Sequence, residues 1–235
     1  GGEPREAAAR DARSGRAAGA MIRGLSFDLD GTLYPVSRAR ALWRLRRERG
    51  LLVALMAARE RMRHEPPLED STALIRRETE LVAPSFGLHP SEAEARLRAL
   101  HAALPAALTK NTPPFPHVRV ALEAAHARGL SLAVLSDYDP GDKLRWLGLD
   151  DLPWKVILGC DTLGALKPHP RAFVALAERM KIPPAELIHV GDREDLDVEG
   201  ALGAGFRAWL FGKKSAKTRA EKIFAAWSPD MFDQI

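Results

Sequence analysis

One cysteine, Cys160, stands in 235 residues. No internal disulfide can form, and there is no Cys-rich neighbourhood for zinc, so a reducing cytoplasm is the expected setting. No apolar run approaches the roughly 20 residues that cross a bilayer, which sets membrane insertion aside. The seven histidines are scattered without metal-ligand spacing, and aromatic residues make up only 6% of the chain. Nucleic-acid binding calls for a basic stripe interleaved with aromatics, and the net charge of +4, from 35 basic against 31 acidic residues, is too small and too dispersed to suggest one. The nearest candidate lies at residues 38–63, where Arg38, Arg40, Arg44, Arg46, Arg47, Arg49, Arg59, Arg61 and Arg63 alternate with Ala, Leu and Val. It reads as the solvated face of an amphipathic helix pair. The competing reading, a nucleic-acid surface, would show itself as binding that weakens steeply with salt.

Residues 1–20 carry Ala, Arg, Gly and Glu with almost nothing to bury, and a disordered tail is expected there. They contain no signal-like apolar segment, and Met21 reads as a start preceded by an extension. The rest is 46% hydrophobic and 28% charged counted over the chain, enough for one α/β core with an appendage. Short apolar segments closed by a polar residue or glycine recur: GLSF, LSLAVL, WKVIL, ELIHV and FRAWLF. Between them the pattern predicts helices at 117–128, 140–146, 170–181 and 195–202, each ended by Gly or Pro. Strand alternating with helix implies a parallel sheet covered on both faces. Residues 36–111 break that rhythm. They read as helices alone, at about 38–62, 68–82 and 91–107, with the Pro-rich run 112–116 as the link back. The expected division is a core of 21–35 and 112–235 and a helical unit of 36–111.

In an open parallel sheet, ligands bind beyond the carboxyl ends of the strands. Asp28, Asp30 and Thr32 follow the first strand, Ser136 and Asp137 the second, Lys167 the third, and Asp192, Asp195 and Asp197 the fourth. Converging carboxylates repel one another unless a cation sits among them. Hard oxygen donors without His or Cys suit Mg²⁺ together with phosphate oxygens. Lys167 and Ser136 are suited to the remaining oxygens of a phosphoryl group. Asp28 and Asp30, two apart where the strand turns, allow one carboxylate to attack while the other handles the leaving group's proton. Against this, strand-end Asp and Ser are common turn or cap residues, and Asp195 in particular reads as a first-turn acid on a helix dipole. His189 reads as a core residue or a support for a site residue, Cys160 as a packed thiol, and Trp43, Trp146, Trp154, Trp209 and Trp227 as packing residues.

DLDGT at 28–32, VLSD at 134–137, GALKPHPRAF at 164–173 and HVGDREDLDVEGALGAGFRAWLF at 189–211 stand in an order and spacing that resembles the haloacid dehalogenase superfamily of hydrolases, in its phosphatase-like branch with a helical cap after the first strand. The resemblance implies a Rossmann-like α/β fold with an all-helical cap. It also implies a Mg²⁺-dependent phosphoric monoester hydrolase working on a small phosphorylated metabolite through an aspartyl-phosphate. Asp28 would be the nucleophile and Asp30 the general acid and then base. Ser136 and Lys167 would bind phosphate, and Asp28, Asp30 and Asp192 would hold the metal, with Thr32, Asp137 and Asp197 in support. Arg193 departs from the small polar residue common after the Gly-Asp pair, and Asp137 and Asp139 add negative charge beside Ser136. A phosphomutase, a 2-haloacid dehalogenase and an idle binding module are the alternatives. The paired Asp30 and the acidic last motif weigh against the dehalogenase. The partner is a small phosphorylated substrate, the oligomeric state is open between monomer and homodimer, and Tyr34, Trp43, Arg44 and Arg47 are the specificity candidates on or near the cap.

Overall fold

The computed structural model describes residues 20–212 and 217–235; the tail expected over residues 1–20 lies, save its last residue, outside them. Six parallel strands form one sheet in the order β3-β2-β1-β4-β5-β6. They are β1 (Gly24–Phe27), β2 (Ser131–Ser136), β3 (Trp154–Gly159), β4 (Leu187–Gly191), β5 (Arg207–Phe211) and β6 (Lys222–Phe224). The five strands expected from the sequence are present, and β6 is an addition. Its three half-buried residues at the sheet edge are too short to show a period.

Alternation along each strand explains why both faces are covered. Leu132 and Val134 of β2, with Trp209 and Phe211 of β5, point to one core, which also holds Val118 and Leu122 of α5 (Val118–Ala127), Leu144 and Leu147 of α6 (Gly141–Leu147), and Trp227. Ala133 and Leu135, with Ala208 and Leu210, point to the other. There they meet Phe173 and Leu176 of α7 (Pro170–Met180) and Ala201 of α8 (Glu199–Gly203). Truncating a fully buried leucine such as Leu122 in these layers should cost about 2–5 kcal/mol.

The segment between β1 and β2 is helical, with a core of its own. It runs through α1 (Arg38–Arg44), a short 3₁₀ turn at Arg46–Glu48, α2 (Arg49–Met62), α3 (Ser71–Val82) and α4 (Pro90–Thr109). Leu51, Leu55, Leu97 and Leu100 meet in its centre. The single helix expected over 38–62 is broken at Leu45. The break lets Arg44 donate to the Ala106 and Ala107 carbonyls (3.3 and 3.0 Å) at the end of α4, where carbonyls lack helical partners. The helix expected from residue 68 starts later because Asp70 is its cap, its Oδ1 accepting from the amides of Thr72 and Ala73 at 2.8 and 2.9 Å.

Three further expectations are corrected. The helix at 195–202 opens as a π turn, Glu194–Val198, because the Arg193 carbonyl takes the amides of both Asp197 and Val198 while the Asp197 side chain turns inward. Trp43 and Trp146 are 68% and 49% exposed rather than packed. The arginine-rich stretch is also not uniformly solvated: Arg59 is 2% exposed, with a carboxylate partner of its own. Among the described residues, no helix is long and apolar enough to cross a membrane.

Candidate active site

Strand register decides which residues share the rim. Phe27 on β1 is level with Val134 on β2 and Val190 on β4, so Asp28, Ser136 and Asp192 emerge within two residues of one another in height. The chain winds from β1 to β2 on one side and returns to β4 on the other, which makes this end of β1 the switch point where parallel sheets bind ligands.

Asp28 is buried. Its Oδ1 lies 2.6 Å from Lys167 Nζ, and its Oδ2 accepts from Thr32 Oγ1 at 3.0 Å. Lys167 Nζ also reaches Asp197 Oδ1 at 2.6 Å, so one ammonium bridges two carboxylates. Asp197 is fixed further by the Arg193 amide (3.0 Å) and by His189 Nε2 (3.3 Å), whose Nδ1 side meets Ser26 Oγ at 2.9 Å. The Asp197 carboxylate fills the space a Cβ at Gly191 would need, with Cγ 2.2 Å from that position; only glycine fits there. A support role for His189 and an inward role for Asp197 are therefore what the geometry gives. Asp195 instead pairs with Arg193 at the surface, 2.5 Å away.

Asp30 is held from two sides, by the Tyr34 hydroxyl on Oδ1 and by the Lys143 ammonium on Oδ2. Lys143, on α6, is fully buried and was not among the residues the sequence singled out. Gly31, at φ +98°, makes the turn between Asp30 and Thr32 in a region that only glycine enters freely. A Cβ there would stand 2.3 Å from Asp192 Oδ2, so the first and fourth motifs touch through this residue. Ser136 is buried, and its Oγ accepts the Tyr138 amide at 3.4 Å, a turn contact that leaves the hydroxyl proton available. Asp137 turns from the sheet rim to accept the Lys167 amide at 2.9 Å and to pair at 2.6 Å with Arg63, which caps the end of α2. Arg63 also donates to the Lys167 carbonyl.

Four carboxylates, Asp28, Asp30, Asp192 and Asp197, thus face two ammonium groups. Burial raises Asp28 above the ordinary carboxylate range. Lys167 opposes the rise, and Asp197, Asp192 and Asp30 reinforce it. Asp192 is pushed up to about 6 by burial and then by Asp197. Burial also works against Asp197, but Lys167 and His189 overcome it and hold its carboxyl well below the usual range. Oxygens of Asp28, Asp192 and Asp197 come within 4.8 Å of one another, and Asp192 makes no ion pair with another described residue. With all four ionised the site would carry two more negative than positive charges, and the raised Asp28 and Asp192 show that crowding; hard oxygen donors so placed fit a divalent cation such as Mg²⁺.

The specificity candidates fare differently. Tyr34 serves Asp30, Arg44 caps α4 and Trp43 faces solvent with Arg46 beside its ring. None of these three, nor Arg47, lines the cavity of about 200 Å³ bordered by Arg59, Tyr138 and Lys143. Residues missed by sequence reasoning are Lys143, Arg63 and Trp227, whose Nε1 donates to the Thr32 carbonyl at 3.2 Å. No local signal marks them.

The fold and site define a doubly wound α/β hydrolase with a carboxylate-rich centre at the switch point. Residues 22–205 match the family model described as haloacid dehalogenase-like hydrolase, and the chain belongs to that family. It is 28% identical over 201 residues to a glyceraldehyde 3-phosphate phosphatase of Methanopyrus kandleri, covering 79% of this chain and 82% of that one. It is 29% identical over 200 residues to a phosphoglycolate phosphatase of Shigella boydii, covering 78% and 79%. Among solved structures, a 2-haloacid dehalogenase from Pseudomonas syringae pv. tomato superposes with a TM-score of 0.65 at 25% identity, over 89% of this chain and 96% of that one.

Proposed function

We propose that the protein is a Mg²⁺-dependent phosphoric monoester hydrolase acting on a small phosphorylated metabolite, with residues 36–111 as a cap over the site. The observation that carries this reading is Lys167 bridging Asp28 and Asp197 at 2.6 Å on each side, with Asp192 close by and in no direct ion pair with another described residue. Asp28 is the nucleophile. Thr32 and Lys167 fix its two oxygens, so it is oriented before substrate arrives. An Asp28 oxygen bonds to phosphorus as the bond to the leaving oxygen breaks, and Asp30, which enters this step protonated, gives its proton to that oxygen and becomes the carboxylate. Asp30 then takes a proton from water as the water oxygen bonds to phosphorus, and the bond from phosphorus to Asp28 breaks to release phosphate. Ser136 and Lys167 donate to the phosphoryl oxygens throughout. Asp28, Asp192 and the Asp30 backbone carbonyl would hold Mg²⁺, which when bound draws charge from the phosphoryl oxygens and offsets the surplus of carboxylates.

The likeness to a dehalogenase structure raises a second reading. A departing halide needs neither a proton nor a metal. Asp30, gripped by Tyr34 and Lys143, and the uncompensated Asp192 therefore support the phosphatase. A phosphomutase would use the same core and return the phosphoryl group to a second hydroxyl. An idle binding module has no use for five competent side chains in register.

Release of phosphate from an aryl phosphate, with Mg²⁺ and with chelator, tests the proposal on wild type and Asp28→Asn. Activity that needs Mg²⁺ and falls more than about 1,000-fold in the variant supports it. Equal activity in the variant overturns it.

A further inference from the structure

Lys167 sits where three separate stretches of chain meet, and its peptide group is held at both ends. Its amide donates to Asp137 Oδ1 at 2.9 Å. Its carbonyl accepts from Arg63 Nη1. Arg63 Nη2 then closes the ring on Asp137 Oδ2 at 2.6 Å. One residue of the helical segment, one of the loop after β2 and one of the loop after β3 thus form a closed cycle, and both backbone polar groups of Lys167 belong to it.

The cycle is sheltered from water. Lys167 is buried, and the side chains of Arg63 and Asp137 are only 11% and 12% exposed. Charge-assisted hydrogen bonds are the stronger kind, and a dry setting strengthens them further. Burial works against the Asp137 carboxylate, but Arg63 and then Lys167 outweigh it and hold its carboxyl below the usual range. Asp137 has other anchors: its carbonyl accepts from Arg59 Nη1 at 3.1 Å, and the residue before it, Ser136, ends β2. Lys167 has fewer, since its backbone lies in neither strand nor helix, between the 3₁₀ turn Cys160–Leu163 and α7. Arg63 and Asp137 supply the support that regular structure does not.

The other end of the same residue is the ammonium that bridges Asp28 and Asp197 at 2.6 Å each. A lysine carries its charge on a flexible stem, and a reacting group misplaced by about 1 Å can lower the rate by about 100-fold. Holding the peptide group at its N–H and its C=O removes the backbone's share of that freedom. The residue type matters as well. A guanidinium presents several donors in fixed directions and can serve a carboxylate and a carbonyl together, whereas an ammonium is a single point charge.

We propose that Arg63 is a positioning residue for the reaction: from the helical segment it fixes the peptide group of Lys167, directly and through Asp137, and so sets where the Lys167 ammonium meets the phosphoryl group. The proposal rests on the phosphatase reading. It is tested by kcat and KM for p-nitrophenyl phosphate with Mg²⁺, beside thermal melting, for wild type, Arg63→Ala, Arg63→Lys, Asp137→Asn and the Arg63→Ala/Asp137→Asn double variant. The expected result for Arg63→Ala is a kcat lowered by about 10–100-fold with KM moved by less than about threefold. Arg63→Lys, which reaches one acceptor of the two, recovers part of the loss, and added guanidinium ion restores Arg63→Ala but not Asp137→Asn. Asp137→Asn keeps an oxygen for the Lys167 amide and turns an amide NH₂ toward Arg63. It breaks the same link, so the double variant is no slower than the slower single. If melting shows Arg63→Ala to be unfolded, the other two single variants decide: a lowered kcat in both supports the proposal, and wild-type kcat in either overturns it. Undiminished kcat in folded Arg63→Ala, a loss that neither lysine nor guanidinium recovers, or losses that multiply in the double variant overturn this inference alone. No hydrolysis by the wild type overturns the phosphatase reading and this inference with it.

Discussion

The ammonium of Lys143 is bound to the carboxylate of Asp30 across 113 residues of sequence. Lys143 is fully buried at the tip of a leucine-rich helix, a place where a lysine needs an anionic partner. It therefore fixes the carboxylate of Asp30, the group that transfers a proton in the proposed mechanism. Lys143→Met should lower kcat by about 10–100-fold, within the range that positioned proton transfer supplies. The loss should be larger on an alkyl ester than on a nitrophenyl ester, whose leaving oxygen needs less help. Equal losses on both would mean that Lys143 only supports the fold.

Gly31→Ala places a methyl group against Asp192 Oδ2 and forces a side chain into positive φ. The strain should cost about 1–3 kcal/mol. Displacement of Asp192 should lower Mg²⁺-dependent phosphate release by about 100-fold. Melting and activity measured side by side separate the two effects.

Asp28, Asp192 and Asp197 bring oxygens within 4.8 Å of one another, and the proposed function puts Mg²⁺ beside them. Adding Mg²⁺ to chelator-treated protein should raise its melting temperature, by the equivalent of about 2.7 kcal/mol at 100 times Kd. Asp192→Asn should abolish the rise. The readout is thermal and does not depend on knowing the substrate.

Burial works against the Glu78 carboxylate, but Arg59 and His101 outweigh it and hold its carboxyl below the usual range. A group whose pKa is lower in the folded state than its unfolded value of about 4.3 stabilises fully above that value. It loses the contribution as pH falls through the folded pKa. Glu78→Gln should therefore flatten the acid side of a melting-temperature profile. At neutral pH it should destabilise by about 3–5 kcal/mol, since Arg59 is left buried without its partner.

Asp28, Ser136, Lys167 and Asp192 were legible because each directly follows a strand or a turn signal, and a parallel sheet brings such positions to one edge whatever else the chain does. The sheet and the helical segment were legible for the same reason: periodicity is local. Lys143, Arg59 and Arg63 were not. Which face of α2 or α6 turns toward the sheet depends on tertiary contacts, and the arginines of residues 38–63 look alike in one dimension although Arg59 is enclosed and Arg61 is exposed. The break at Leu45 was hidden because its benefit, a cap on α4, lies some 60 residues away in sequence. The π turn at Glu194–Val198 was hidden because it follows from where Asp197 points. Asp197 itself was evenly balanced between helix acid and site residue, because only the fold brings it to Lys167 at 2.6 Å.

Arg59 on α2 and Arg63, the residue that caps its end, both reach Asp137, one at its carbonyl and one at its carboxylate, and Asp137 follows Ser136 directly. Drawing the helical segment away from the sheet would break both links at once, at the residue beside Ser136, and would also free the Lys167 carbonyl from Arg63, so the placement of the helical segment and the order of the loops after β2 and β3 are one variable and not two.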